Sequence, residues 1–449
     1  MKNKGRLTEG NVNKTLVKLT LHMIIGIVGM SFFNLIDTWF IGQLGTKELA
    51  AISFTFPIIL VIGNISMGLG IGASSVIARA IGEGNLHKVK ILSTDSILLS
   101  FLVVVFFVIL GLITIEPLFL MLGASKDLIV LIKQYMIPWY IGVPFVITPM
   151  IGNSIIRATG DTKTPSRIML LAITINLILD PILIFGYGPF PKLGIYGAAI
   201  ATVISRFATM IFSLKILYSR EKLIILKLRP INEIYNSWKE ILYIGFPASG
   251  TNLIMPMSLG IVTHIIAKHG NNAIAGFGVG IKVGMFTTSV VLALGSVLAP
   301  FVGQNWGAGK INRVRHSIRS SFIFSMIWGF FSFILFIFFS DFLASMFNNN
   351  KSIIEIASSY LIIISFSFGF RGVLRLSGNV FNALNKPRPA IILVFIQMIV
   401  LTIPLSYIGS WLYDIKGIFY AVAISNIISG AIAYFWIKRV LREKSNPLI

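Results

Sequence analysis

Long apolar runs separated by short polar breaks dominate this chain. They fall at 17–41, 48–75, 92–115, 131–154, 165–186, 194–216, 239–263, 272–303, 316–338, 353–382, 389–410 and 417–437. About 20 residues at roughly 1.5 Å each cross the hydrocarbon of a bilayer, and every run reaches that length. The pattern predicts an all-α integral membrane protein of about twelve transmembrane helices, with boundaries good to a few residues. The longest polar connection, SREKLIILKLRPINEIYNSWKE, lies between the sixth and seventh runs. It divides the chain into an N-terminal six-helix lobe (1–216), a basic linker (217–238) and a C-terminal six-helix lobe with a short tail (239–449).

The two halves repeat. His22 to Lys90 aligns without a gap on Pro247 to Arg315 at a constant offset, 247 − 22 = 225, which pairs Gly45 with Gly270 and Gly70 with Gly295. Later the register is 404 − 181 = 223, pairing Pro181 with Pro404. Six spans per half make the repeats parallel, an arrangement that suits a transporter with a central site between two bundles.

Composition narrows the class. Hydrophobic residues are 55% of the chain, charged residues only 12%, and mean hydropathy is +0.86; a water-soluble fold has no use for so much apolar surface. The polar segment 1–15 leads straight into a long apolar run, so an uncleaved first span is expected instead of a signal peptide. There are no cysteines, which excludes thiol catalysis, disulfides and Cys-ligated metals. The net charge of +22 suggests nucleic acid until its distribution is examined. Lys and Arg gather in alternate connections, as at Lys310, Arg313, Arg315 and Arg319, while the others hold single residues such as Lys126 and Lys351. That asymmetry predicts a multi-pass cell-membrane protein with both termini and the 217–238 linker cytoplasmic. It also predicts anionic lipid headgroups, not nucleic acid, as partners of the basic loops.

A few polar residues interrupt the apolar runs. Asp37 sits inside the first, with Asn34 and Thr38 beside it, and a carboxylate within a span costs at least about 2.5 kcal/mol. Asp180 lies in the fifth run, with Asn176 one turn earlier on the same face. Asp37 precedes Gly45 by eight residues, Asp180 precedes Gly188 by eight, and Thr202 follows Gly194 by eight. Asp37, Asn176, Asp180 and Thr202 are therefore predicted at one level, where oxygen ligands suit Na+ or a shared proton. The repeat partners of the two aspartates are Val262 and Ile403, so the carboxylates serve something other than the duplicated fold.

The remaining motifs are weaker. GLGIGAS and GFGVG lie in or at the start of apolar runs and are explained by close helix packing. No metal-spaced histidines, HExxH, GxSxG or P-loop occur, so no enzyme is predicted. Lys282, Arg371 and Arg375 fall within spans of the second half; snorkelling, capping and substrate contact are all open to them.

With these motifs in order, the chain resembles the multidrug and toxic compound extrusion (MATE) family. The resemblance rests on IDTWFIGQLGTKELAA, IIRATGDTKTP, LDPILIFGYG, GAAIATVIS and GQNWGAGK. It implies two six-helix lobes forming a V and alternating access coupled to H+ or Na+, with no other cofactor. It resembles most the prokaryotic branch whose coupling residues fall on Asp37, Asn176, Asp180 and Thr202, and whose fourth-helix Tyr and Asn fall on Tyr135 and Asn153. The family's proline near the start of the first helix is His22 here, while Pro247 keeps it in the second half; Gly26 and Gly29 could yield instead. The expected function is a monomeric secondary antiporter exporting cationic, amphipathic organic compounds. The alternative is a flippase for a lipid-linked saccharide or related amphipathic anion, which Lys282, Arg371 and Arg375 would suit.

Overall fold

The structure is a computed structural model that describes residues 7–443 except Leu226 and Leu228; the side chains of Asn34, Leu35, Thr38 and Glu443 also lie outside the described set. The chain is helical: α1 Val12–Gly42, α2 Thr46–Gly82, α3 Leu86–Met121, α4 Lys126–Ala158, α5 Lys163–Phe185, α6 Gly194–Lys215, α7 Ile231–Ala267, α8 Asn271–Gly307, α9 Ile311–Ser345, α10 Lys351–Ser365, α11 Phe368–Ala383, α12 Pro387–Phe395 and α13 Ile403–Glu443. No strand occurs among the described residues.

The predicted spans appear with two refinements. The tenth run is broken into α10 and α11, which meet at a 59° bend. The last two runs form one 56-residue stretch, Pro387–Arg442. At 1.5 Å per residue that is about 84 Å, far too long for one crossing. It reverses at Tyr413 and Asp414, where the backbone leaves helical geometry, and Gly409 and Gly417 let the two arms touch backbone to backbone. Counted this way the described residues hold twelve spans.

The repeat is visible in the backbone. Gly84 and its partner Gly309 both take the left-handed conformation, with φ of 74° and 70°, which a residue with a Cβ adopts only under strain. Gly45 and Gly270 likewise have positive φ just before α2 and α8.

Two compact units emerge, Leu21–Ser249 and Met1–Thr20 with Gly250–Ile449. The divisions fall inside α1 and α7, not in the basic connection. In the first unit α4 is the hub, packed by α2, α3 and α6, with α5 laid against α6; Ile132, Met136, Tyr140 and Ile151 form its centre. The first half of α7 belongs here because α2 offers it glycines: a Cβ on Gly72 would lie 2.5 Å from the Ile241 carbonyl oxygen. In the second unit α11 is the hub among α8, α9 and α13, beside an aromatic cluster of Phe277, Tyr360 and Phe419. Residues 7–20 are bound here by polar contacts. Leu7 N–H donates to Gln304 Oε1 at 3.1 Å, and Arg313 donates to the carbonyls of Leu7, Glu9 and Gly10.

Candidate functional site

The polar residues of the first unit converge near one end of α1, α4, α5 and α6. Asp37 and Asp180 each lie five residues before their helix ends at Gly42 and Phe185, while Tyr135 and Thr202 lie about two turns after the starts of α4 and α6. Pro181 shapes the local turn, since it has no N–H for the Leu177 carbonyl and so loosens the helix that carries Asn176 and Asp180. Asn176 Nδ2 donates to Asp180 Oδ1 at 2.8 Å. Both residues are buried.

The Asp37 and Asp180 carboxyls come within hydrogen-bonding range of each other. The remaining Asp180 Oδ2 and Asp37 Oδ1 have no hydrogen-bond partner. Two carboxylates in contact and out of water cannot both stay charged without a bound cation or a shared proton. Tyr135 is buried within electrostatic range of both. The structure thus brings together the two aspartates and Asn176, which the spacing puts at one level, and Tyr135, which only the resemblance indicates.

Other candidates stand apart. Thr202 is on α6, but no hydrogen bond joins its hydroxyl to either carboxyl among the described residues. Asn153 lies 18 residues beyond Tyr135 on α4, about 27 Å along the helix, so the pair does not include it. The Asn34 side chain lies outside the described residues. His22 is about 22 Å of helix from Asp37, and α1 continues unbroken through Gly26 and Gly29. Those glycines admit α5, with Gly26 against Ser166 and Gly29 against Ile173. The divisions between the compact units fall beside His22 and Pro247.

Arg206 was not anticipated. It lies one turn after Thr202 on α6 and interacts electrostatically with Asp37, yet no ion pair joins them. A lone arginine at i+4 from a candidate ligand within an apolar run was the signal available. In the second unit, Arg371 and Arg375 sit one turn apart on α11, and Lys282 is exposed on α8.

A duplicated bundle of membrane spans, with carboxylates buried in one half, is the architecture of a membrane transporter. The MatE family pattern matches residues 23–182 and 247–408, one match per repeat. The chain belongs to that family, the multidrug and toxic compound extrusion transporters. It is 37% identical to the FAD transporter of Shewanella oneidensis, over 98% of this chain and 97% of that one. It is 26% identical to the multidrug export protein MepA of Staphylococcus aureus, over 96% and 95%. Among solved structures, the Vibrio cholerae MATE transporter VcmN in the bent form superposes with a TM-score of 0.91, at 30% identity over 96% of this chain and 97% of that one.

Proposed function

We propose that this transporter is a secondary antiporter that exports amphipathic organic compounds in exchange for inward H+, coupled at Asp37 and Asp180. The observation that carries this reading is the contact between the two carboxyls, each with an oxygen left unpartnered. A proton arriving from outside neutralises the pair; its release on the other side restores the repulsion. Binding of ion and cargo in opposite phases of the cycle gives a coupling free energy of about 1–3 kcal/mol. H+ fits better than Na+ because Arg206 holds a positive charge within electrostatic range of Asp37, though not in an ion pair with it. A metal ion would have to enter against that charge with few oxygen ligands around it.

Two cargo readings follow. Organic drugs, which we take to be cationic, agree with relatives named for multidrug resistance and multidrug export. A flavin dinucleotide agrees with the relative named FAD transporter, and the free arginines of α11 favour this anionic cargo. We place both termini and the 217–238 linker in the cytoplasm, from the Lys/Arg asymmetry. An impermeant thiol reagent added outside intact cells should leave a cysteine at position 225 unlabelled, and labelling would reverse the orientation. The coupling reading is tested in everted membrane vesicles: an imposed ΔpH, but not ΔNa+, should drive uptake of FAD or of a cationic dye. Uptake of either compound that ignores both gradients would refute it.

A further inference from the structure

The α11 helix is enclosed by protein on all sides but one. Between Arg371 and Ala383 only Arg371, Arg375, Gly378 and Asn379 escape full burial, and at helical spacing they form a single stripe. No apolar side chain longer than glycine's hydrogen interrupts it. A stripe facing lipid would be apolar, so this one lines a polar space. Arg371 lies 12 residues, about 18 Å of helix, before the end of α11 at Ala383, beyond the reach of a snorkelling side chain in a core about 30 Å thick.

The two guanidiniums are close enough to feel each other's charge, and Arg371 lies within electrostatic range of the buried Tyr360. Like charges at i and i+4 repel, and neither arginine has a carboxylate within ion-pairing distance among the described residues. At either offset of the repeat, 225 or 223, the corresponding positions in the other half are uncharged: Val146 and Met150, or Thr148 and Gly152. The duplicated fold therefore has no need of them.

We propose that Arg371 and Arg375 form an anion subsite that takes the phosphate groups of an exported organic phosphate, with Asn379 as a neutral donor beside them. Guanidinium binds phosphate bidentately. Two of them about 6 Å apart along the helix can each hold one phosphate of a diphosphate. The carboxyls of the other unit would repel such a group, so the acidic and basic sites divide the work: ion in one unit, anionic cargo in the other. This inference rests on the reading of the chain as an exporter of amphipathic compounds, and concerns binding, which needs no gradient.

The test uses the full chain in lipid nanodiscs, with flavin fluorescence reporting binding at equilibrium. FAD and riboflavin share a ring system, but only FAD carries a diphosphate. Wild type should bind FAD at least about tenfold more tightly than riboflavin, and Arg371→Gln or Arg375→Gln should each remove most of that preference while leaving riboflavin binding unchanged. Inorganic pyrophosphate should displace FAD from wild type and leave riboflavin in place. If the glutamine variants fail to fold, the pyrophosphate competition and the Lys variants, which keep the charge but lose the bidentate fork, decide the matter. Equal affinities for the two flavins in wild type, or an FAD preference that survives both Gln variants, would overturn the inference even if ΔpH-driven export of cationic dye were intact. Conversely, an intact preference with gradient-independent transport would sink the antiport reading alone.

Discussion

The two units carry one repeat but differ in where charge interrupts it. The first holds Asp37 and Asp180 in mutual contact, where the second has Val262 and Ile403. The second holds Arg371 and Arg375, where the first has uncharged residues at either offset of the repeat. Near its bend the second unit also uses neutral amides: Gln397 donates to Asn426 at 2.7 Å, and Asn426 to Ser367 at 2.9 Å. That chain fixes the α10–α11 break with every partner satisfied, whereas the carboxyl pair leaves oxygens open. Satisfied buried networks rigidify a fold, while open ones are places where something else binds. Duplication supplied the scaffold, and the departures from symmetry mark the chemistry.

The strongest way to break this comparison is to neutralise the acids. Asp37→Asn and Asp180→Asn should each reduce ΔpH-driven export to the uncoupled level, and the double variant should be little worse, because the pair acts as a unit. Val262→Ala and Ile403→Ala should remain close to wild type. Vesicle transport with expression controls measures all five, and wild-type rates from both Asn variants would place the coupling site elsewhere.

Arg206 sharpens the same contrast. Arg206→Met removes the fixed charge beside Asp37, so a Na+ gradient should begin to drive export where it had no effect on wild type. Unchanged indifference to Na+ in vesicles would strip Arg206 of its discriminating role.

Packing asymmetry gives a smaller effect. Gly72→Leu must displace the Ile241 and Gly245 backbone, an overpacking worth about 1–3 kcal/mol, and should lower the thermal midpoint in detergent. At its counterpart Val297, buried in α8, the change to Ala should cost about 1 kcal/mol. Equal shifts would mean that α2 and α8 are packed alike after all.

The smallest effect lies in the polar connection after α4. Burial opposes the charge on Asp161, but the Thr164 hydroxyl and N–H and the Arg220 guanidinium outweigh it and hold its carboxyl below the usual range. A lowered carboxyl stabilises the fold above its ordinary pKa, and the contribution disappears as pH falls through the lowered value. Arg220 is half exposed, so Arg220→Ala should destabilise by less than about 1 kcal/mol at neutral pH, and by progressively less on acidification. A pH-independent shift of the thermal midpoint would remove Asp161 from the explanation.

The spans, the repeat and the level of the two aspartates were all legible in the chain by itself. The bilayer leaves so few options: a run of about 20 apolar residues must be a helix, and a carboxylate within it must have a reason. The breaks were less legible. Nothing in the apolar run 353–382 announced the bend at Ser367, because the amides that hold it come from Gln397 and Asn426, far along the chain. Nor did spacing exclude Asn153 or bring in Arg206, since helical depth and facing depend on which helix packs against which. Charge identity and span length are local properties that a sequence determines. Which oxygen is left without a partner, and which stripe of α11 stays uncovered, are properties of the packing, and only the tertiary structure decided them.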